Sequence, residues 1–575
     1  MKTSLLVACL LVLSDGVAGQ ASRNDVVIDE IMADPLGAVR RPDKLPESEF
    51  IELKNRSLRS VNLIGWRVSD ASGTAFINSN FILQPDSFVI ITSNGAVAAL
   101  SVFGATLGVA NFPSLDNNGE WISLRSKEGN LIHAVEYHQS WYQDAVKMEG
   151  GWTLEMIDPG NACTGMSNWK ASIHTRGGTP GTRNSVYGTN TDVLPPALSG
   201  AFAPDSMSII LHFDEPLDSV SAVNPANYFV SDGPGFPQAA TALAPLFNKI
   251  LLRLNPYLQS GKLYTVRVKA VKDCSGTEIG AMNEVRVGLA RLADSGDVVI
   301  NELLFNPKPG GFDYVEVYNR SNHTLDLKDL SIANRAANRM ISSLRQLSAD
   351  NRLLFPGDYL VATENAVMVK DQYHTKNPEA FAELKGMPSY PDDKGIVVLL
   401  NSMGKRIDEV AYDEKWHFKL IANNEGVALE RIDFNKASQD ANNWFSAATD
   451  AGYGTPTYQN SQFKAAEQVQ GAVSLGSRIF SPDNDGFDDF VTVNYRFTEP
   501  GYVCNITIFD VNGIPVRYLT RNAICGLTGY FRWDGLDEKS RKLNLGMYIM
   551  LAEVFNLKGK SKKVKEVVTL AGRLR

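Results

Sequence analysis

The sequence predicts an all-β protein made of several sandwich-like or barrel-like domains, and three observations predict it. Short runs rich in Val, Ile, Phe and Tyr alternate apolar with polar residues, and Asn, Asp, Gly and Pro separate these runs. Helical periodicity is nearly absent; the clearest exceptions are Asn94 to Phe103 and Glu364 to Leu384, where short helices are expected. Much of the strand pattern occurs twice, so one architecture is expected in two copies.

The chain begins with the features of a secretory signal peptide at residues 1–19. Lys2 precedes an apolar run from Leu5 to Leu13, and small residues follow at positions 17–19, so the mature chain is expected to start near Gln20. Later segments stay well short of the roughly 20 apolar residues that a membrane-spanning helix needs. We therefore expect a protein that is either secreted or associated with the cell surface or outer membrane, without a transmembrane segment.

Length and composition predict the number of domains and argue against a nucleic-acid partner. A chain of 575 residues, at about 150 residues per domain, is expected to form roughly four domains. The hydrophobic fraction of 44%, the charged fraction of 21% and the net charge of −8 are typical of a globular protein. This charge gives no electrostatic reason to expect a nucleic-acid partner.

A long internal repeat defines two domains, repeat 1 at residues 24–186 and repeat 2 at residues 296–462. The matching segments are DVVIDEIMADP (25–35) with DVVINELLFNP (297–307), EFIELKNRS (49–57) with DYVEVYNRS (313–321), and GWTLEMIDP (151–159) with GVALERIDF (426–434). Each copy closes on Gly-Thr-Pro followed by Asn-Ser, at residues 178–185 and 454–461. The repeat therefore extends from the first predicted strand to the closing loop of each copy.

Two further strand series lie outside the repeats. The middle domain, residues 193–290, contains SMSIILHFDEPLD and LYTVRVKAVKD with turn residues between its strands. A polar linker at residues 463–471 leads into the last domain, residues 472–575, which contains VTVNYRF, CNITIFDV and MYIMLAEVF. Four all-β domains are therefore predicted after the signal peptide.

The repeated unit resembles a known domain family. Its V-[IV]-x-E opening, its [FY]-[IV]-E-[LV]-x-N strand and its closing Gly-Thr-Pro resemble the lamin-tail domain, an immunoglobulin-like β-sandwich. The resemblance implies tandem immunoglobulin-like sandwiches and a binding or tethering role in the bacterial envelope, with a protein or glycan component as partner. It implies no catalytic residues.

The other two domains also resemble families of secreted bacterial proteins. The segments HFDEPLD and LYTVRVKAVKDCSG are similar to the SbsA-type bacterial immunoglobulin-like domain of surface-layer proteins. SPDNDGFDD, ITIFDVNG, WDG and GMYI in the last domain resemble the FlgD-like immunoglobulin fold and the gliding-associated, type IX secretion-like C-terminal domain of Bacteroidota. This second resemblance implies the secretion machinery as a partner.

A cluster of aspartates opens the last domain and is a candidate calcium site. Its members are Asp483, Asp485, Asp488 and Asp489. Calcium binds six to eight oxygens, which clustered carboxylates around the turn-forming Gly486 supply in part. The spacing departs from the helix-loop-helix calcium loop, because the twelfth position counted from Asp483 is Asn494. The alternative is a turn in which the aspartates accept hydrogen bonds from nearby backbone amides.

Four cysteines remain after the signal peptide: Cys163, Cys274, Cys504 and Cys525. They are expected to be too scattered for a disulfide framework or a paired-cysteine zinc site. Cys504 and Cys525 flank two predicted strands of the last domain, so they are the candidates for a cross-strand disulfide. The alternative is two buried thiols that act as small hydrophobic residues.

The sequence lacks the motifs of common catalytic sites. G-x-S-x-G, the phosphate-binding G-x-x-x-x-G-K-[ST] and the zinc-binding H-E-x-x-H are absent. Glu30 with Glu302, and Glu52 with Glu316, recur between the repeats and suggest either acid–base chemistry or carboxylates that accept loop hydrogen bonds. We expect a non-enzymatic protein without a cofactor other than calcium; the alternatives are the accessory part of an extracellular phosphodiesterase or nuclease, and a purely structural envelope component.

Overall fold

The computed structural model describes residues 21–37, 44–336, 338–421, 423–464, 472–557 and 560–572. The predicted signal peptide at residues 1–19 lies outside these ranges, as does the predicted linker apart from Phe463 and Lys464. The chain divides into two compact units. The first comprises Met1–Leu258 and Tyr264–Val287, and the second comprises Gln259–Leu263 and Gly288–Arg575. Repeat 1 and the middle domain belong to the first unit, and repeat 2 and the last domain to the second.

Strands dominate both units, which confirms the predicted all-β fold class. The α-helices of the described residues are α1 (Val97–Leu100), α2 (Ser219–Ala222) and α3 (Ala366–Gln372). The first and third of them lie in the two segments where the sequence predicts short helices. Within the described ranges, no helix has the length and apolar character that a bilayer crossing requires.

Repeat 1 forms a sandwich of two sheets. Its strands are β1 (Val26–Met32), β2 (Phe50–Asn55), β3 (Val61–Asn62), β4 (Arg67–Ser69), β5 (Thr74–Phe76), β6 (Ile82–Leu83), β7 (Phe88–Ser93), β8 (Thr106–Val109), β9 (Gly119–Arg125), β10 (Leu131–His138), β11 (Leu154–Met156) and β12 (Trp169–Ala171). The larger sheet has the order β12-β11-β1-β2-β7-β8, and the smaller one β10-β9-β4-β5. Apolar side chains from both sheets, with the buried Trp169 and Tyr137 among the largest, form the core between them.

The middle domain is a smaller sandwich. Its strands are β13 (Leu198–Asp205), β14 (Ser208–Phe213), β15 (Tyr228–Val230), β16 (Ala239–Leu243), β17 (Lys249–Arg253), β18 (Leu263–Val268) and β19 (Glu284–Gly288). They form one sheet of order β13-β14-β17-β16 and a second of order β15-β18-β19. Alternate residues of β14 and β18 are buried, as expected for strands with one face on a core.

Repeat 2 has the topology of repeat 1. Its strands are β20 (Val298–Leu304), β21 (Tyr314–Asn319), β22 (Leu325–Asp326), β23 (Leu330–Arg335), β24 (Ile341–Gln346), β25 (Leu353–Leu354), β26 (Tyr359–Thr363), β27 (Phe381–Glu383), β28 (Lys394–Asn401), β29 (Arg406–Asp413), β30 (Leu429–Arg431) and β31 (Trp444–Ser446). The sheet orders are β27-β26-β21-β20-β30-β31 and β24-β23-β28-β29, which are those of repeat 1 strand for strand. The sequence repeat is therefore a structural repeat.

The first strands of the two repeats share an irregularity. A bulge interrupts the β1–β2 pairing between Ile28 and Glu30, and the β20–β21 pairing between Ile300 and Glu302. A bulge inserts one extra residue and so determines which face of the sheet the next side chain points to. Both bulges immediately precede the recurring glutamate, and every residue of β1 and β20 is buried.

The last domain has two sheets around its own core. Its strands are β32 (Ala472–Leu475), β33 (Ile479–Phe480), β34 (Val491–Arg496), β35 (Tyr502–Phe509), β36 (Pro515–Ile524), β37 (Thr528–Trp533), β38 (Gly546–Asn556) and β39 (Ser561–Leu570). The sheet orders are β32-β34-β37 and β33-β39-β38-β35-β36. Trp533 and Phe480 are fully buried between the sheets.

Candidate functional site

Each repeat contains three glutamates on neighbouring strands, which we call the glutamate triad. In repeat 1, Glu30 on β1 lies directly opposite Glu52 on β2 and Glu155 on β11. In repeat 2, Glu302 lies directly opposite both Glu316 and Glu430. All six side chains are fully buried, at 0% exposure. Residues that face each other across a sheet point to the same side, so each triad gathers three carboxyl groups in one place.

The Gly-Thr-Pro loop of repeat 1 covers its triad and hydrogen-bonds to it. The Thr179 amide donates to Glu30 Oε1 at 2.8 Å, and Thr179 Oγ1 donates to Glu155 Oε1 at 3.0 Å. The Gly181 amide donates to Glu52. A Cβ added to Gly178 would lie 2.6 Å from Glu30 Oε1, so this position needs glycine for the loop to approach so closely.

The corresponding loop of repeat 2 makes the same pattern of bonds. The Thr455 amide donates to Glu302 Oε1 at 2.9 Å, and the Thr457 amide donates to Glu316 Oε2 at 2.5 Å. Thr455 Oγ1 lies 3.0 Å from Glu302 Oε2 and 2.9 Å from Glu430 Oε1. The recurring Gly-Thr-Pro of the sequence is thus the lid of a buried carboxyl cluster.

The Asn-Ser that follows each Gly-Thr-Pro completes the contacts of the third glutamate. Ser185 Oγ donates to Glu155 Oε2 at 2.7 Å, and Ser461 Oγ donates to Glu430 Oε2 at 2.8 Å. Sequence reasoning missed Glu155 and Glu430 as members of the cluster. A signal for them was present, since both stand at the same position of the aligned segments GWTLEMIDP and GVALERIDF.

Burial favours the neutral carboxyl form of the glutamates on the first two strands of each triad. Burial, and after it the neighbouring Glu155 carboxylate, raises the pKa of Glu30 to about 8. Burial and Glu430 likewise raise the pKa of Glu302 to about 8. The pKa values of Glu52 and Glu316 lie well above the usual range of glutamate, because of burial and then the opposing glutamate. Near neutral pH these clusters therefore hold protons.

The geometry favours the structural interpretation of the recurring glutamates over acid–base catalysis. The carboxyl oxygens accept hydrogen bonds from the loop that closes each repeat, and no side chain of either triad reaches the surface. Glu30 Oε2 and Glu52 Oε1 are buried and accept no hydrogen bond from the described residues. A proton on one of these carboxyls supplies the donor that such buried oxygens require.

The aspartate cluster of the last domain forms a compact turn. Asp483, Asp485 and Asp489 each place one carboxylate oxygen within 4.8 Å of the others. Asp488 is not part of this group; its carbonyl accepts a hydrogen bond from the Ser481 amide at 2.8 Å.

The carboxylates of this turn also bind its own backbone. Asp489 accepts hydrogen bonds from the Asn484 amide at 2.7 Å and the Gly486 amide at 2.9 Å. Asp485 accepts one from the Phe487 amide at 2.9 Å. These are the contacts that the turn interpretation predicts, and calcium binding in this loop stays a prediction.

The disulfide of the structure joins Cys163 in repeat 1 to Cys274 in the middle domain. The sequence did not predict this pair, because contact between the two domains brings together loops that lie 111 residues apart in sequence. The bond lies within the first unit and ties its two domains together covalently.

Cys504 and Cys525 are free and buried, so the disulfide predicted between them is not formed in the structure. Cys504 lies opposite Ala523 in the β35–β36 register, which places Cys525 diagonal to it. A hydrogen bond with Cys504, and after it burial, raises the pKa of the Cys525 thiol. Both thiols belong to the core of the last domain.

The second unit contains an open cleft of about 630 Å³ between repeat 2 and the last domain. Its lining combines aromatic and cationic side chains: Lys376, Tyr458, Lys464, Arg496, Phe497 and Tyr530. Tyr530 is 56% exposed, and Lys376 Nζ lies 4.6 Å from the centre of the Tyr458 ring. The lining acid Asp450 is exposed, and it accepts a hydrogen bond from Tyr495 Oη at 2.6 Å. Sequence reasoning missed this surface, since its residues come from distant segments.

The family model described as Lamin Tail Domain matches residues 19–139 and 292–414. The resemblance predicted from the repeat is confirmed over these two regions. Both matches end before the third glutamate and the closing loop of each copy. A comparison with curated proteins finds no match.

Several solved structures are similar to this chain. The N-terminal part of the bacterial S-layer protein SbsC has 16% identity over 38% of this chain and 44% of its own, with a TM-score of 0.16. A longer SbsC fragment has 12% identity over 66% of this chain and 54% of its own, with a TM-score of 0.16. The chain thus spans about half the length of these S-layer fragments.

A further similar structure is the Bacteroides ovatus mixed-linkage glucan utilization locus protein SGBP-B in complex with a mixed-linkage heptasaccharide. It has 12% identity over 67% of this chain and 68% of its own, with a TM-score of 0.13.

Proposed function

We propose that this protein is a non-enzymatic binding and tethering protein of the bacterial envelope, secreted or held at the cell surface. The observation that carries the proposal is the burial of the glutamate triads. The acidic groups that recur in both repeats, and that could serve as a general acid and base, are sealed under the Gly-Thr-Pro loops. A substrate needs hydrogen-bond access to a catalytic acid or base, which this arrangement denies.

The cleft of the second unit is the surface that we assign to binding. Three cations, Lys376, Lys464 and Arg496, line it in a protein whose net charge is −8. The exposed ring of Tyr530, with the half-buried rings of Tyr458 and Phe497, offers flat apolar faces on which sugar rings or other planar groups can stack. This combination suits an acidic glycan of the envelope better than a neutral one, because the cations would pair with its carboxylate or phosphate groups.

A binding assay with defined polysaccharides tests the cleft. We expect the mature chain to bind polygalacturonate more tightly than dextran of matched length, as measured by isothermal titration calorimetry. Replacing Arg496 and Tyr530 with alanine is expected to weaken the binding at least tenfold, because a charge-assisted contact and a stacking face are both lost. The exposed Tyr518, which lies under Arg521 at 3.7 Å on the same domain, provides the matched control Tyr518→Ala.

Two outcomes contradict the assignment of the cleft, and a third contradicts the non-enzymatic role. Equal binding by the wild type and the Arg496→Ala/Tyr530→Ala variant would place the binding surface elsewhere. Self-association of the mature chain without affinity for either polysaccharide would instead favour the purely structural envelope component. Hydrolysis of a phosphodiester by the purified chain would favour the accessory part of a phosphodiesterase or nuclease.

We further propose that the last domain directs export as a type IX secretion-like signal. Its resemblance to such C-terminal domains supports this, and the domain has a core of its own. It also packs on repeat 2: Phe418 shares an apolar cluster with Val503 and Ile524. Deleting residues 472–575 would therefore uncover apolar side chains of repeat 2, which makes a fusion the cleaner experiment.

The export role predicts a gain of function in a reporter. A periplasmic reporter fused to residues 463–575 is expected to reach the surface or the medium of a host with a type IX system. The matched control is the same reporter fused to residues 193–290, a β-sandwich of similar size. Retention of both fusions in the periplasm would contradict the export role.

A further inference from the structure

We propose that Asp192, Glu215 and Asp273 form a calcium-binding site where repeat 1 meets the middle domain. Asp192 lies in the connection between the two domains, Glu215 follows β14, and Asp273 follows β18. Each residue places one carboxylate oxygen within 4.8 Å of the oxygens of the other two. Oxygens bound to one calcium ion lie about 2.4 Å from it and so at most roughly 5 Å apart, which this group satisfies.

Asp273 provides a second observation that points to a ligand. Its side chain is 1% exposed, and its Oδ1 accepts hydrogen bonds from the Gly276 amide at 2.7 Å and the Thr277 amide at 2.8 Å. Its other oxygen, Oδ2, is buried and accepts no hydrogen bond from the described residues. A buried carboxylate oxygen normally has a partner, and a cation held with Asp192 and Glu215 would be that partner.

The charged groups around Glu215 are all negative, as expected at a cation-binding site. The groups acting most strongly on this carboxyl are Asp192, Asp273 and Asp214, all of them acidic. Asp192 accepts hydrogen bonds only from neutral donors among the described residues, Thr164 Oγ1 at 3.1 Å and the Leu194 amide at 3.3 Å. Several carboxylates at such short range repel one another unless one of them is protonated or a cation lies among them.

The ligand set favours calcium over other common metals. The three side chains offer only carboxylate oxygens, whereas zinc sites are built mainly from cysteine and histidine. Three carboxylates supply up to six oxygens, which approaches the six to eight that calcium binds. Magnesium keeps most of its waters and tolerates less variation in geometry, so it is expected to bind here more weakly.

The disulfide lies at the same junction. Cys274 directly follows Asp273, and Thr164, which donates to Asp192, directly follows Cys163. The covalent bond therefore keeps two of the proposed ligands near each other, and the ion would link the interdomain connection to the loops of the middle domain. Together they would hold repeat 1 and the middle domain in one arrangement.

Titration of the mature chain with CaCl₂ tests the site. We expect a rise in melting temperature of roughly 5 °C when calcium is in hundredfold excess over its Kd. The double substitution Asp192→Asn/Glu215→Gln is expected to lower by one the number of calcium ions bound in isothermal titration calorimetry. It leaves Asp273 and its turn intact, and it removes repelling charges, so its melting temperature in EDTA should equal or exceed that of the wild type.

Matched variants separate this site from the aspartate turn of the last domain. Asp232→Asn removes an exposed carboxylate of the same domain and should leave both stoichiometry and melting temperature unchanged. Asp483→Asn/Asp485→Asn should leave the calcium response of the first unit unchanged, even if the total number of bound ions falls. Magnesium that reproduces the calcium response at equal concentration would overturn the assignment to calcium, and an unchanged stoichiometry in Asp192→Asn/Glu215→Gln would overturn the site.

Discussion

Replacing Glu302 with alanine is expected to lower the free energy of unfolding of the second unit by about 4 kcal/mol. Glu302 accepts hydrogen bonds from the Thr455 amide, from Thr455 Oγ1 and from Tyr314 Oη at 2.7 Å. Alanine would leave these buried donors without their acceptor and a cavity beneath the closing loop. Urea denaturation followed by tryptophan fluorescence measures the change, because Trp444 lies in the core of repeat 2.

Glu302→Gln is the matched control for this prediction. Glutamine keeps an acceptor oxygen and nearly the same volume, and it resembles the neutral carboxyl that the buried site favours. We expect it to cost only about 1 kcal/mol at pH 7. Equal losses for the alanine and glutamine variants would contradict the account, since they would mean that the ionised carboxylate is what stabilises the fold.

The pH dependence of stability follows from the raised pKa of the same residue. The pKa of Glu302 is about 8 in the folded protein, against an ordinary value of 4.5. Its contribution is therefore fully present below about pH 4.5 and is lost as the pH rises through 8, by about 5 kcal/mol in total. The wild type should lose stability between pH 6.5 and 9, and Glu302→Gln should lose less.

Two buried histidines destabilise the fold as the pH falls, so they set the lowest pH at which the stability measurements should start. Burial lowers the pKa of His133 and of His417 to about 4, so the stability they contribute is lost as the pH falls from about 6.5 through 4. Measurements above pH 6.5 therefore exclude the contribution of these histidines. A wild type whose stability is constant from pH 6.5 to 9 would contradict the proposed protonation of the triads.

Loss of the interdomain disulfide is the second large effect that we expect. The variant Cys163→Ser/Cys274→Ser should lower the free energy of unfolding of the first unit by about 3 kcal/mol, because the bond closes a long loop and restricts the unfolded chain. Differential scanning calorimetry under oxidising conditions measures this loss. The matched control is Cys504→Ala/Cys525→Ala, which removes two thiols without removing a disulfide.

A reducing agent provides an independent check on the disulfide. It should shift the transition of the wild type to that of Cys163→Ser/Cys274→Ser and leave the variant itself unchanged. Identical transitions for the oxidised wild type and the variant would contradict the prediction.

The alternation of residues predicted much of the fold, because strands with one buried face record it directly in their sequence. The repeat predicted that Glu30 and Glu302 occupy equivalent places. The repeat also aligns Glu155 with Glu430, but it does not show that they lie beside Glu30 and Glu302, since the order of strands in a sheet differs from their order in the chain. Strand β11, near the end of repeat 1, pairs with β1 at its start.

The cysteines show a second limit of sequence reasoning. Cys504 and Cys525 are close in sequence and flank neighbouring strands, yet the β35–β36 register places them diagonally. Cys163 and Cys274 are 111 residues apart and are bonded, because loops of two domains meet. Separation along the chain thus misleads in both directions wherever tertiary contacts decide which residues meet.

The aspartates illustrate the same point for binding sites. The aspartates between Asp483 and Asp489 are easy to recognise because they lie close together in sequence. Carboxylates of this segment accept hydrogen bonds from the amides of their own turn. Asp192, Glu215 and Asp273 converge from three separate segments, so composition and spacing give no signal for them. The residues that line the cleft of the second unit are dispersed in the same way.

The most direct test of a binding rather than a catalytic role combines binding and turnover on the same protein. The purified mature chain and its Glu302→Gln variant would be incubated with polygalacturonate, a phosphodiester and a peptide substrate, and both retention of the glycan and release of products would be measured. The account predicts that both proteins bind polygalacturonate and that neither releases products. Product release by the wild type that the Glu302→Gln variant loses would contradict it.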